Sequence, residues 1–103
     1  MTAHALTSSA HELSDVAAVL AALEMRNLTP LVDEVCRRRG VVREQLCGRA
    51  RTTSVSHARQ ELWWLIRNQP DRHYSLLEIA SLFRRDHTTV LHGIRAYRQR
   101  AVP

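Results

Sequence analysis

The sequence predicts an all-α fold, a small bundle of about six helices that contains a helix-turn-helix. Apolar residues recur at helical spacing along several segments, and helix start and stop signals separate these segments. The stretch from Ser75 to Ile94 is typical of two short helices joined by a tight turn, which is the arrangement of a helix-turn-helix. The chain has 103 residues and is 45% hydrophobic, which fits one small domain.

The amino-terminal part divides into a tail and a helix. Residues 1–10 are small and polar and contain neither a basic run nor a long apolar stretch, so they predict a flexible tail rather than a signal peptide or a membrane span. Residues 11–25 are rich in helix formers and carry an apolar stripe at Leu13, Val16, Leu20 and Leu23. Two interpretations of this helix stay open: its stripe covers the domain core, or it contacts a partner protein or a second copy of the chain.

The next helix has clear start and stop signals. Thr29 as N-cap and Pro30 at the first helical position begin a helix over residues 30–39, and Gly40 ends it. The arginines at 37–39 are favourable at the negative end of the helix dipole, and phosphate contact is a secondary interpretation for them.

Two helices follow. Residues 41–47 predict a short helix that ends at Gly48, and Ser54 or Thr53 caps a longer one that runs to about Arg67. Apolar residues at helical spacing make the longer helix the main core candidate.

This longer helix contains two adjacent tryptophans, Trp63 and Trp64. Adjacent side chains on a helix point about 100° apart, and full burial of both rings is demanding in a small domain. We expect one ring in the core and the other at its rim or at a partner surface. Gly93, in the last predicted helix, fits close helix packing.

The helix-turn-helix begins at a capping box, because Ser75 is followed three residues later by Glu78. Asp86 then caps a second helix that runs to about Arg100, since its carboxylate accepts backbone N–H groups at the positive end of the dipole. The first turn of that helix exposes His87, Thr88 and Thr89. Such a turn enters the major groove in helix-turn-helix proteins, where hydroxyl and imidazole groups bond base edges.

The charge distribution favours a polyanionic partner. All fifteen basic residues are arginines, and none precedes Arg26. Residues 26–103 also contain seven acidic residues, which gives this part a net charge of +8, whereas the three acidic residues before it give −3. A basic part of this kind gains affinity for nucleic acid through counterion release and electrostatic steering.

The sequence argues against an enzyme and against a metal site. Cys36 and Cys47 lack the close pairing expected of structural zinc, and as two cysteines without a secretion signal they predict reduced thiols in the cytoplasm. Asp86 and His87 are neighbours on a helix with no nucleophile beside them, so the capping interpretation is better than acid-base chemistry. We expect no cofactor.

Two motifs resemble one known family. The string Asp86-His87-Thr88-Thr89-Val90 resembles the signature of the C-terminal DNA-binding domain of DnaA, the bacterial replication initiator. The stretch from Gly48 to Gln60 is similar to the basic loop and following helix of that family. The resemblance covers roughly residues 27–100 and divides the chain into the tail, an accessory helix over 11–25 and a DNA-binding domain over 26–103.

The resemblance implies a role for each matched position. Arg51 lies where the family places an arginine that enters the minor groove. Residues 86–89 match the major-groove readers, Arg59 and Gln60 match a pair that touches the phosphate backbone, and Arg85 matches a neighbouring contact. The complete set of candidate DNA-binding residues is Arg49, Arg51, Thr52, Thr53, His57, Arg59, Gln60, Arg84, Arg85, Asp86, His87, Thr88 and Thr89.

The chain also departs from the family pattern. It has Arg84 and Arg85 in the turn of the motif, where the family usually has glycine. Leu77 replaces a common proline, and His57 stands where an additional arginine is frequent. The absent glycine implies a slightly different angle for the recognition helix, and the departures together bear on which DNA sequence is preferred.

The sequence therefore predicts a protein that binds double-stranded DNA at initiator-type boxes, in the cytoplasm and on the nucleoid. It contains no phosphate-binding loop of the initiator's ATPase module, so we expect a helper or competitor of the initiator in the control of chromosome replication. One alternative is a transcription regulator, phage-derived in origin, that uses the same domain. Another is an adaptor that binds the initiator, or a second copy of itself, through residues 11–25.

Overall fold

The computed structural model describes the backbone of residues 2–101 and the side chains of residues 13–101. The backbone of this range forms six helices and no strand. The helices are α1 (Thr2–Met25), α2 (Thr29–Arg39), α3 (Arg43–Cys47), α4 (Thr53–Arg67), α5 (Leu76–Phe83) and α6 (His87–Ala101). The predicted all-α bundle with a helix-turn-helix is confirmed. Within this range, no helix has the length and apolar character needed to cross a membrane.

Helix α1 is longer than the sequence predicts. It begins at Thr2, well before the expected start at residue 11. Met1 and the side chains of residues 1–12 lie outside the described part of the chain, so the division into tail, accessory helix and DNA-binding domain stays a prediction.

The apolar stripe of α1 covers the core only in its carboxyl-terminal half. Leu23 and Val19 are fully buried, and Val16 and Leu20 pack against the core while half-buried. Leu13 is 65% exposed, so the core interpretation does not extend to it, and the partner-contact interpretation stays open there. The core interpretation of this helix holds from Val16 onward because this is where it packs across α3 and α5.

Two predicted N-caps lie one or two residues too far along the chain. The N-cap of α2 is Leu28 rather than Thr29, because the buried Leu28 supplies the carbonyl that accepts from the N–H of Val32. The N-cap of α4 is Thr52, whose extended backbone and carbonyl bond to the N–H of Ser56 begin the helix before Thr53 and Ser54. Neither cap uses a side-chain hydrogen bond.

Helix α4 lies at the centre and packs against α2, α3, α5 and α6. Trp63 is buried and meets the ring of Phe83 edge-on at 5.8 Å, while the half-buried Trp64 packs on Tyr97 at 5.5 Å. One ring in the core and one at the rim confirms the prediction. A side chain at Gly93 would place its Cβ 2.7 Å from the Trp63 ring, so Gly93 allows α6 to approach α4 closely, as predicted.

The helix-turn-helix is positioned by backbone and cap interactions. Ser75 Oγ accepts from the N–H of Glu78 at 3.0 Å, and Glu78 Oε1 accepts from the N–H of Ser75 at 2.8 Å, which confirms the capping box. Arg84 ends α5 with φ 55°, in the left-handed region that favours glycine. The N–H of Arg85 donates to Ala80 O at 2.9 Å, which completes the turn into α6.

Candidate nucleic-acid interface

The basic loop between α3 and α4 is held in place by Arg59. This arginine is 4% exposed and donates to the carbonyls of Leu46 (2.9 Å), Ala50 (3.1 Å) and Gln45 (2.7 Å). Burial, reinforced by the nearby Arg85 guanidinium, lowers the pKa of Arg59 to about 10, so it remains charged at pH 7. The sequence assigned Arg59 to phosphate contact, and its burial among carbonyls instead makes it a positioning residue for the loop.

The loop and the turn of the motif bring three arginines together. Arg49 Nη2 donates to the carbonyl of Arg84 at 3.1 Å and so ties the loop to the turn. Burial lowers the pKa of Arg85, and the neighbouring guanidinium groups of Arg49 and Arg51 lower it further. Within residues 13–101, none of these three arginines forms an ion pair with a carboxylate. Their charge is therefore available to an anion.

A groove of about 390 Å³ runs between the loop, α4 and α6. Arg51 and Arg85 lie on its walls with Gln60 of α4 and Thr89 of α6. Trp63 also lines this groove, and Arg85 lies 5.9 Å from the centre of its ring. The groove has arginines on its walls, and positive charge of this kind attracts the phosphates of a nucleic-acid backbone.

The first turn of α6 presents its polar side chains to solvent. Asp86, His87, Thr88 and Thr89 are all exposed. Asp86 Oδ1 accepts from the N–H of Thr88 at 3.5 Å, a long cap bond, and lies 3.4 Å from His87 Nδ1. The predicted cap is present, and the threonine hydroxyls have no hydrogen-bond partner among the described side chains.

The remaining candidate residues are spread around this surface. Thr52 and Thr53 are exposed where the loop enters α4. Arg84 is exposed, and its Nε lies 3.7 Å from Asp15 Oδ1 of α1. Gln60 Oε1 accepts from Arg100 Nη1 at 2.8 Å. His57 does not line the groove.

His57 instead faces two other arginines. Its pKa lies below the ordinary value because of burial first, and then because of the charges of Arg100 and Arg39. A neutral imidazole at pH 7 adds no positive charge, so His57 does not replace the charge of the arginine that the family often has here.

The arginines at the end of α2 are committed to carboxylates. Glu61 is buried and accepts from Arg39 Nε at 2.6 Å and from Arg38 Nη1 at 2.9 Å, while Tyr97 Oη donates to it at 3.5 Å. Arg37 pairs with Glu34 of the same helix. Phosphate contact by this cluster is therefore not supported.

Sequence reasoning missed the buried charges of α4. Glu61 follows Ala58 by three residues and precedes Leu65 by four, so helical spacing places it on the apolar face. A charged residue at such a position is the signal that predicts a buried ion pair. Arg59 carries the same signal, because it follows Val55 by four residues and precedes Trp63 by four.

The two cysteines are free thiols. Burial raises the pKa of both, to about 12 for Cys47, so both are protonated at pH 7. No group of three potential metal ligands occurs in the described part of the chain.

A family model described as the bacterial DnaA protein helix-turn-helix matches residues 29–96. The chain belongs to the bacterial DnaA helix-turn-helix family. This is a family of domains that bind double-stranded DNA and are not catalytic, so this DnaA-type chain is a DNA-binding protein. Neither the curated proteins nor the solved structures gave a match. Helix α1 lies outside the matched residues.

Proposed function

We propose that this DnaA-type chain recognises a short initiator-type box in duplex DNA and thereby regulates the initiation of chromosome replication. One observation carries the proposal: Arg49, Arg51 and Arg85, without carboxylate partners, lie beside the exposed first turn of α6. Unpaired guanidinium groups supply affinity through phosphates, and exposed hydroxyl and imidazole groups supply readout of base edges. Sequence-specific binding needs both kinds of group on one surface.

The docking follows from this division of roles. Helix α6 enters the major groove with His87, Thr88 and Thr89 at base edges, while Arg51 reaches the adjacent minor groove from the loop. Arg85 and Gln60, on the walls of the groove between them, meet phosphates. Contact at two neighbouring grooves gives a single copy of the chain useful affinity.

The secondary contacts lie at the edges of this surface. Arg49, Thr52 and Thr53 extend the loop side, Arg84 extends the turn, and His57 is the outermost member on α4. Asp86 orients the first turn of α6 through its cap and accepts from a base amino group where one faces it.

The regulatory role rests on family membership and on box occupancy. A chain that occupies the initiator's boxes either displaces the initiator or assists its binding to neighbouring boxes. Titration of the chain into an initiator complex with an origin fragment separates these roles. Displacement identifies a competitor, and increased retention identifies a helper. No effect on the initiator, with tight box binding, would contradict the replication role and favour transcription control.

Fluorescence anisotropy tests the binding itself. A labelled duplex with an initiator-type box is compared with a scrambled duplex of equal composition at several salt concentrations. We expect a preference for the box that persists as salt rises. Equal and steeply salt-dependent binding to both duplexes would show that the surface binds DNA only by nonspecific electrostatic attraction. Absence of binding to either would favour the adaptor interpretation of α1.

Thr88→Ala tests the readout. Loss of one good base contact should reduce the preference for the box by about ten-fold, with little change on the scrambled duplex. Gln99→Ala, exposed near the other end of α6, is the matched control and should retain the preference. Equal weakening on both duplexes would show that Thr88 is not a base reader.

A further inference from the structure

A second cavity, of about 440 Å³, lies between α1 and the helix-turn-helix. Its apolar walls include Val16 and Val19 of α1 and Phe83 at the end of α5, with Leu13 also lining it. The end of α3, the basic loop and the turn after α5 form the remaining sides. This volume and apolar lining are those of a site for a small organic molecule.

The cavity also has a charged side. Arg49, Arg84 and Arg85 line it together with two carboxylates, Asp15 and Glu44. Asp15 lies 3.7 Å from Arg84 Nε, so that pair is already partly neutralised. Arg49 and Arg85 have no carboxylate partner among the described side chains. The excess of guanidinium groups fits one anionic group, while the carboxylates disfavour a polyanion such as DNA.

We propose that this cavity binds a small molecule with an apolar body and a single anionic group, and that this ligand opposes DNA binding. The site depends on α1, which supplies Leu13, Asp15, Val16 and Val19 and lies outside the family-matched residues 29–96. The family-matched segment alone leaves this side of the cavity open.

Arg85 links the cavity to the DNA surface. It lines both the 440 Å³ cavity and the 390 Å³ groove, and it lies over the Trp63 ring between them. A guanidinium group that binds the ligand's anion is withdrawn from the DNA phosphate. The two ligands therefore weaken each other's binding by the same factor. This coupling rests on the proposed function, whereas the cavity site does not.

Two fluorescent probes test the cavity in the full chain without DNA. 1-Anilinonaphthalene-8-sulfonate has an apolar body and one sulfonate, and N-phenyl-1-naphthylamine has the same body without the charge. We expect saturable binding of both at one site, with the sulfonate about ten-fold tighter. Equal affinity for the two probes would overturn the assignment of an anionic group.

Two variants locate the probe. Val16→Phe fills the cavity and should abolish probe binding, whereas Met25→Phe, on the exposed end of the same helix, should leave it unchanged. Circular dichroism and urea unfolding report whether each variant folds. Leu13→Asp changes an exposed residue, so folding is retained, and its carboxylate should weaken sulfonate binding about five-fold. Unchanged sulfonate binding in folded Val16→Phe or in Leu13→Asp would place the probe elsewhere and overturn the site.

Duplex binding with and without the sulfonate probe tests the coupling. Saturating probe should raise the Kd for the box duplex about five-fold or more, and the duplex should displace the probe. In Val16→Phe the probe should have no effect on the duplex. An unchanged Kd at saturating probe would overturn the coupling. The probe is also titrated without the duplex, and the duplex without the probe. Failure of the proposed cavity site is therefore distinguished from failure of the proposed DNA binding.

Discussion

Two groups of arginines in this chain have the same charge and opposite surroundings. The paired group, Arg37, Arg38, Arg39 and Arg43, meets carboxylates of α2 and α4. The open group, Arg49, Arg51 and Arg85, lies where the basic loop meets the helix-turn-helix and has no carboxylate partner among the described side chains. Three of the paired arginines join α2 to α3 or α4, while Arg37 pairs within α2, and the open group faces the proposed ligand.

Net charge overstates the positive charge that a basic domain makes available to DNA. Residues 26–103 carry +8, but a guanidinium group bound to a carboxylate releases few additional counterions when a phosphate approaches. The open group has no internal anion among the described side chains, and it lies beside the exposed first turn of α6. Variants of residues in each group test whether only the open group contributes to DNA binding.

The largest effect should come from Arg59, which positions the open group. Arg59→Ala removes the donor from three carbonyls, one buried and two partly buried, at about 1 kcal/mol each, so we expect a loss of about 3 kcal/mol in the free energy of unfolding. Urea unfolding measures this loss. Arg26→Ala, at an exposed arginine, is the control and should unfold like the parent. A loss below about 1 kcal/mol would show that the loop does not depend on Arg59.

Breaking the paired group should reduce stability and spare DNA binding. Glu61→Gln should cost about 2 kcal/mol, less than a fully buried pair because Arg38 and Arg39 are partly exposed. Burial raises the pKa of Glu61, but hydrogen bonds from Arg39 and Arg38 outweigh this, and the folded-state pKa lies below the ordinary 4.5. The stabilisation is therefore complete above pH 4.5 and is lost as pH falls through the folded-state pKa.

Unfolding of parent and Glu61→Gln as a function of pH measures this pattern. The difference in unfolding free energy should be largest at neutral pH and shrink in acid. Glu24→Gln, on the exposed side of α1, is the matched control. A pH-independent difference, or a weakened affinity for the box duplex, would contradict the separation of the two groups.

Removal of one arginine from each group should show which group contributes to DNA affinity. Arg51→Ala should weaken duplex binding about ten-fold, or about 1.4 kcal/mol, and reduce the salt slope by about one, since one exposed cation is lost. Arg43→Ala removes the same side chain from an ion pair with Asp33 and should change neither quantity. Anisotropy at several salt concentrations measures both. Equal effects of the two substitutions would show that pairing with a carboxylate does not decide which arginine binds DNA.

The smallest expected effect is a change in stability that arises from the backbone of the turn after α5. Arg84→Gly and Arg84→Ala remove the same guanidinium group, but only glycine relieves the left-handed backbone at φ 55°. We expect the glycine variant to be more stable than the alanine variant by about 1 kcal/mol, with equal DNA affinity. Thermal unfolding and anisotropy check the pair. Equal stability would show that the turn tolerates a Cβ without cost.

Local signals explain why much of the fold was predictable. The Ser75–Glu78 capping box, the Gly40 stop and the exposed first turn of α6 each depend on residues within one helical turn. The cap positions at α2 and α4 were missed by one or two residues, which is the spread within which helix ends are assigned.

The missed parts of the site depend on contacts between distant segments. Glu61 and Arg39 are 22 residues apart, and Arg59 bonds carbonyls up to 14 residues away. Sequence reasoning placed Arg59 on the DNA because the family resemblance assigned it there, although helical spacing places it on the apolar face of α4. The carbonyls that its guanidinium group meets depend on the packing of α3 against α4, which no local pattern gives.

The contact between Trp63 and Gly93 restricts how this chain can diverge. The ring fills the space that any side chain at position 93 would need, with only 2.7 Å to a Cβ there. A side chain at residue 93 therefore requires the ring or α6 to shift, and a shift of α6 moves the recognition turn with it. A smaller side chain at residue 63 opens this space, so the effects of substitutions at the two positions should be non-additive.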